Sequence, residues 1–269
     1  MKVIKSLILF VIISCCYAHN SIAQQLVKTI LVENARMITT DELGNVYLVG
    51  QDNGLTRYDL NGDSTGNFRS VTNGDLLWVD ATNPLRVLLY YPNFSKIILL
   101  DRMLSVKNEL DLKKLSLFNP PAVGMSADGR IWVYDFQTAR LKKIDDQLNM
   151  THIGNDMRIE SQTVPRPSSL IEKESKVYLC DPKNGLYTFD RFASYINTME
   201  IKNVSRLQAF GSQLIYRNND SLMAYDLKTL SLKTIPLPIQ NDFIDVRIER
   251  SRLYFLYKEK LEIYNVPEE

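Results

Sequence analysis

The chain has 269 residues and carries 32 Lys and Arg against 31 Asp and Glu, a formal net charge of +1. This balance supplies no basic excess for nucleic acid and no polybasic stretch for lipid headgroups. With 2 His and 3 Cys in the whole sequence, a histidine-rich zinc or iron centre and a disulfide-stapled scaffold are both excluded.

Residues 1–23 read as a secretory leader. Lys2 and Lys5 make a basic start, residues 6–15 an apolar run, and Ser21, Ile22 and Ala23 a small-x-small cleavage site. The apolar run is short for a membrane anchor, which needs roughly 20 residues. Ile13, Ser14 and Cys15 also fit a bacterial lipobox, so lipidation at Cys15 is the alternative to cleavage after Ala23. Both routes export the protein, to the periplasm or the outer membrane, with no transmembrane segment in the mature chain. Cleavage after Ala23 leaves residues 24–269 as one domain that keeps a single cysteine, Cys180, and a single histidine, His152.

Residues 25–32 form a strand-like run that precedes everything repetitive in the chain. A five-residue signature then recurs six times: an apolar residue, two variable ones, an apolar residue, and Asp or Asn. Its copies begin at Leu55, Ile97, Leu141, Leu186, Leu222 and Leu261, and end at Asp59, Asp101, Asp145, Asp190, Asp226 and Asn265. The steps between copies are 42, 44, 45, 36 and 39 residues. A period near forty, filled with short strands, marks a radial array of four-stranded sheets. Six copies predict an all-β, six-bladed β-propeller.

Each signature follows a β-rich run, at residues 46–49, 87–91, 131–134, 177–180, 214–216 and 253–257. These runs are nearly continuous in apolar residues, as expected for blades covered on both faces by their neighbours. Weaker inner strands are expected at 35–41, 76–82, 122–128, 168–174, 205–211 and 243–250, and outer strands after each signature, as at 194–200 and 231–237. The Asp that ends a signature sits where the chain must turn, and its carboxylate can accept a backbone N–H two residues on. Only three residues follow Val266, so the sixth blade lacks an outer strand of its own. Residues 25–32 are expected to complete it and close the ring, hiding an edge that would otherwise invite aggregation.

The stretch from Asp41 and Gly44 through Val46 and Tyr47 to Asn53, Gly54, Leu55, Tyr58 and Asp59 resembles the repeats of the NHL and two-component-regulator propeller families. Ser126, Asp128, Gly129 and Trp132, and Asn184, Gly185, Leu186 and Phe189, make partial copies. The resemblance implies a scaffold and carries no catalytic residue. The leader, ending in Ala-Gln, is similar to those of envelope proteins of Bacteroidota.

Little in the chain converges on a reaction. His152 reads as a surface residue of an outer strand or turn, and Cys180 as a small buried hydrophobe. Residues 59–63 resemble the opening of a calcium loop, but Ser64 and Ser70 stand where Gly and a bidentate Glu are needed. Ser126, Asp128 and Gly129 depart from the sialidase Asp box in the placing of the Gly. Propeller lactonases ring a metal with Glu, Asn and Asp at the channel mouth. The comparable positions here are Arg36, Trp78, Val123, Ser169, Arg206 and Phe243, with Asp75, Asp80, Asp242 and Asp245 nearby. They offer no carboxylate ring, so no metal or cofactor is expected.

Arg36, Arg166 and Arg206 fall near inner-strand starts, together with Trp78 and Phe243. Facing one mouth, they would form a partner-binding patch for an acidic peptide or carboxylate. The alternative is that each arginine is paired with a neighbour such as Glu33 or Asp242. Residues 152–167 form the longest inter-repeat connection, either an insertion or a contact loop. The expected function is a non-enzymatic docking subunit of the cell envelope, in an outer-membrane secretion or assembly complex such as a type 9 translocon. A lactonase-like hydrolase or small-ligand binder using the channel is the alternative.

Overall fold

In the computed structural model, residues 25–218, 221–235, 237 and 242–266 are described. The leader, Cys15 and the cleavage site after Ala23 lie outside them. Six antiparallel four-stranded sheets account for the described strands. The first strand, Gln25–Leu31 (β1), stands apart from its neighbours in sequence. Blade 1 follows with Ala35–Thr40, Val46–Gly50, Leu55–Tyr58 and Ser64–Phe68 (β2–β5). Blade 2 has Trp78–Asp80, Arg86–Tyr91, Lys96–Asp101 and Val106–Asp111 (β6–β9). Blade 3 has Ala122–Met125, Ile131–Asp135, Arg140–Ile144 and Met150–Ile153 (β10–β13). Blade 4 has Ser169–Lys173, Lys176–Asp181, Gly185–Asp190 and Tyr195–Met199 (β14–β17). Blade 5 has Leu207–Phe210, Gln213–Asn218, Ser221–Asp226 and Leu232–Ile235 (β18–β21). Blade 6 has Asp245–Glu249, Arg252–Leu256 and Lys260–Asn265 (β22–β24), with β1 as its fourth strand. The protein is a six-bladed β-propeller.

The continuous apolar runs have a simple geometric cause. Alternate side chains of a strand point to opposite faces, and here both faces meet another blade. Val87, Leu89 and Tyr91 of β7 pack toward blade 1, with Tyr47, Val49 and Leu55. Leu88 and Tyr90 of the same strand pack toward blade 3, with Val123, Ile131 and Val133. The pattern repeats, giving one apolar layer between each pair of neighbouring blades. At the junction of blades 6 and 1, Val32, Ala35, Ile38 and Val46 meet Tyr254, Leu256, Leu261 and Ile263.

The signature Asp residues form the turn before each outer strand, as their position in sequence implies. Asp59 Oδ1 accepts the N–H groups of Asn61 (2.8 Å) and Asp63 (3.0 Å), and Asp101 those of Met103 (2.8 Å) and Ser105 (2.9 Å). Asp145 and Asp190 repeat the arrangement, while Asp226, in a turn one residue longer, accepts the N–H groups of Lys228 and Thr229 (both 2.8 Å). The fourth residue of these turns has positive φ: Gly62, Leu104, Leu148 and Ala193. Two hydrogen bonds accepted by one carboxylate hold a left-handed conformation that Leu and Ala rarely adopt.

Closure is antiparallel pairing of β1 with β24, from Gln25 opposite Asn265 to Leu31 opposite Lys260, with an irregularity between Leu26 and Lys28. Val32 N–H donates to Glu259 O (3.0 Å), carrying the ladder past the strand end. Lys28 of β1 also reaches the carbonyl of Asn61 and the carboxylate of Asp63 (3.4 Å) in blade 1.

Candidate functional site: the central channel

The inner strands β2, β6, β10, β14, β18 and β22 surround the axis. In an antiparallel meander the first and third turns lie at one end of the blade, and the second turn and the inter-blade connection at the other. The channel has a chamber near each end. The larger, about 710 Å³, opens toward the first turns, where Glu42, Asn83, Ser126, Glu174 and Glu249 lie. The smaller, about 290 Å³, lies between blades 5 and 6 near the connections. Arg206, Gln208 and Arg247 line both and form the partition.

Polar groups on the inner strands join neighbouring blades, which otherwise lack a backbone ladder between them. Asp80 of blade 2 accepts the Met125 N–H of blade 3 (2.7 Å) and the Thr82 hydroxyl (2.6 Å). Gln208 of blade 5 accepts the Ile248 N–H (3.1 Å) and donates to the Ile248 carbonyl (2.6 Å) and to Thr40 (3.1 Å). Glu172 of blade 4 accepts from Ser126 (2.6 Å) and Trp132 Nε1 (2.5 Å) of blade 3. Asp245 of blade 6 accepts the Ile38 N–H of blade 1 (3.2 Å) and binds Arg206 of blade 5 at 2.5 Å. Arg206 in turn donates to Ile38 O (3.1 Å).

These placements set the charge states. Burial would raise the Asp245 carboxyl, but Arg206 and Arg247 outweigh it and hold it below the usual range. Burial, aided by the nearby Arg206, pushes Arg247 down to about 10 against the pull of Asp245. Burial raises Asp80, opposed by its bonds from Thr82 and Met125. Burial, with Asp41 and Glu42 adding repulsion, pushes Glu249 up to about 7.

Of the five residues expected to form a partner patch, Arg36, Trp78 and Arg206 reach the channel, and Arg166 and Phe243 do not. Arg36 and Arg206 both line the smaller chamber. Arg36 is held by Gly50 O (3.1 Å), Asn53 Oδ1 (3.0 Å) and the Leu76 carbonyl. Arg206 pairs with Asp245 rather than Asp242, and its guanidinium lies 5.3 Å from the ring centroid of Trp78. Since Trp78 belongs to blade 2 and Arg206 to blade 5, this contact crosses the channel. Arg166 lies away from it, exposed and stacked at 5.4 Å over Phe136. Phe243 is 6% exposed and packs edge-on against Phe255 at 5.2 Å, so it belongs to the core. Among the described residues no group of three or more His, Cys, Asp and Glu is arranged to hold a metal ion. Cys180 is buried, donates to Val204 O at 3.0 Å, and has its thiol pushed up to about 12 by burial. His152 lies on β13, with its ring centroid 6.0 Å from that of Phe192.

Arg247, Gln208, Glu172 and Glu249 were not singled out in the sequence. The available signal was alternation: in β22 the polar residues Asp245, Arg247 and Glu249 alternate with Val246 and Ile248.

No family model matches the chain, and no curated protein matches it in sequence. The likeness to solved structures is one of shape. Virginiamycin B lyase from Staphylococcus aureus superposes with a TM-score of 0.62 at 11% identity, over 91% of this chain and 100% of its own. The β-propeller domain of Cps50 (Swd1) from Myceliophteria thermophila gives 0.63 at 11% identity, over 91% and 100%. The extracellular domain of a putative one component system from B. thetaiotaomicron gives 0.54 at 12% identity, over 86% of this chain and 33% of that one. At these identities the likeness shows the fold, which hosts unrelated functions.

No helix of the described residues is long and apolar enough to cross a membrane. On the face carrying the second turns and the connections, Phe94, Phe118, Phe136 and Ile159 are exposed by 46%, 52%, 43% and 84%. Ile159 sits on the one-turn helix Met157–Glu160 (α1), capped by Asp156 and anchored by the buried Met157. The long connection is therefore an ordered element.

Proposed function

We propose that the protein is an exported, non-enzymatic docking subunit of the cell envelope, working in an outer-membrane secretion or assembly complex such as a type 9 translocon. The observation that carries this reading is the set of exposed apolar residues Phe94, Phe118, Phe136 and Ile159 on one face of blades 2 and 3. They stand on short turns and an anchored helix, so little ordering entropy opposes docking. Large exposed apolar side chains held on a rigid frame suit protein docking. The channel supports the same reading, because Asp80, Glu172, Gln208 and Asp245 bond across blades rather than converge on one point. A catalytically inactive histidine-to-alanine variant of virginiamycin B lyase is known bound to quinupristin. The single histidine among the described residues here, His152, is on an outer strand, away from both chambers. The turn, strand and Asn-Gly-Leu hairpin of blade 1 favour an NHL or two-component-regulator type of repeat, and the leader favours a Bacteroidota envelope.

A tagged chain captured in mild detergent is expected to bring down an integral outer-membrane protein, and Phe118→Asp with Ile159→Asp is expected to release it. Recovery of the chain as a lone monomer would count against docking. Mass spectrometry of the mature N-terminus separates cleavage after Ala23 from lipidation at Cys15. The second reading, a channel ligand binder or hydrolase, is favoured by the 710 Å³ chamber with Trp78 and Glu249 on its wall.

A further inference from the structure

The smaller chamber has a charge imbalance that the blade-to-blade contacts leave in place. Arg36, Arg206 and Arg247 line it, and Asp245 is the sole carboxylate among the described lining residues. Asp245 is already engaged, by Arg206 at 2.5 Å and by the Ile38 N–H at 3.2 Å. Arg247 is 6% exposed. Its hydrogen-bond and ion-pair partners among the described residues are Ile38 O at 3.4 Å and Asp245 Oδ1 at 3.9 Å. A guanidinium has five N–H donors in a fixed fork, so most of those on Arg247 lack a close acceptor. Arg206 Nε is also buried without a partner. Burying like charges side by side is costly unless an anion joins them, and the lowered Arg247 guanidinium reflects that cost. Ser205, Gln208 and Tyr216 add neutral polar groups to the wall.

We propose that this chamber is a carboxylate-binding site, in which the uncommitted N–H donors of Arg247 grip the anion and the guanidinium of Arg206, held beside Asp245, adds positive charge to the wall. Planar carboxylates match the guanidinium fork in a bidentate manner. A volume of about 290 Å³ suits a small di- or tricarboxylate, or one acidic side chain of a docked polypeptide. The chamber lies toward the same face as Phe118 and Ile159, so either source has access from the proposed docking side.

The test is calorimetric titration of the exported chain with succinate, citrate, a Glu-rich decapeptide and inorganic phosphate, with chloride at matched ionic strength as control. Saturable binding of a carboxylate at millimolar concentration or tighter is expected, weakened at least about tenfold in Arg247→Met. Because that substitution takes one cation away from Asp245, Asp245→Asn with Arg247→Met provides a charge-balanced variant, and circular dichroism checks that each is folded. Binding of succinate or citrate assigns a free acid as the source; binding of the peptide alone assigns a polypeptide. No saturable carboxylate binding up to about 10 mM, tighter binding of phosphate than of any carboxylate, or unchanged affinity in a folded variant would each overturn the assignment. The wild-type titration decides on its own if neither variant folds. None of these outcomes bears on outer-membrane capture, which is read separately.

Discussion

Asp245→Ala removes the group through which three blades meet. In the wild type its carboxylate binds Arg206 of blade 5 at 2.5 Å, accepts the Ile38 N–H of blade 1 at 3.2 Å and faces Arg247 of its own strand at 3.9 Å. Truncation leaves two guanidinium groups facing each other in a mostly buried setting, and one backbone N–H unsatisfied. Removing one partner of a buried ion pair costs about 3–5 kcal/mol, with the orphaned N–H counted inside that range because the terms overlap. Arg206 keeps its bond to Ile38 O and some access to solvent, which argues for about 3–4 kcal/mol. For a domain of this size each kcal/mol moves the melting point by roughly 2–4 °C, so a drop of roughly 10 °C is expected. Urea denaturation followed by tryptophan fluorescence gives the free energy directly. The pH dependence has a definite sign. The Asp245 pKa is lowered in the fold, so its stabilisation is present above the unfolded value of 3.8 and is lost as pH falls through the lower folded value. The gap between wild type and variant should therefore narrow in acid. A loss below about 1 kcal/mol at neutral pH, or a gap that does not change toward acid, would refute the role given to this residue.

Deletion of residues 25–32 should expose the β24 edge and make the protein aggregate or be degraded; a soluble, cooperatively unfolding truncation would rule out closure by β1. Gly124→Ala in β10 places a Cβ 2.8 Å from Leu170 O and 2.9 Å from Leu170 Cδ2, where blades 3 and 4 touch. Overpacking of this kind costs about 1–3 kcal/mol, read by urea denaturation. Glu249→Gln should be neutral near pH 4 and stabilising at pH 8 by about 1 kcal/mol, discounted for the solvent that reaches this half-buried group. The sign follows because its carboxyl stands at about 7 in the fold against an ordinary 4.5, so its contribution is lost as pH rises through that interval. A thermal melt at both pH values checks it.

The fold was legible because a propeller repeats its punctuation. Asp59, Asp101, Asp145 and Asp190 each build the same turn, and a turn that needs a side-chain acceptor leaves its mark in the sequence. The strand before each signature was legible for a second reason: Val87 to Tyr91 are apolar at every position because both faces are covered. The inner strands were located but their channel faces were misjudged. Phe243 was expected at the channel and belongs to the core, because β22 begins at Asp245 and the Phe243 ring packs with Ile215, Leu222 and Ala224 of blade 5. For Arg206 the paired alternative named Asp242, and the partner is Asp245, three residues further on in blade 6. Trp78 meets Arg206 across the ring. Contacts that cross the axis depend on how the blades are arranged around it, and a linear repeat carries no record of that.

The most direct test of docking is photocrosslinking in living cells, with a photoreactive residue at position 118 or 159 on one face, and at 43 or 85 on the other. The account predicts crosslinks from 118 and 159 to one membrane-embedded protein, and none to it from 43 and 85. Crosslinks to that protein from the first-turn face alone, or no crosslinks from either face, would contradict it.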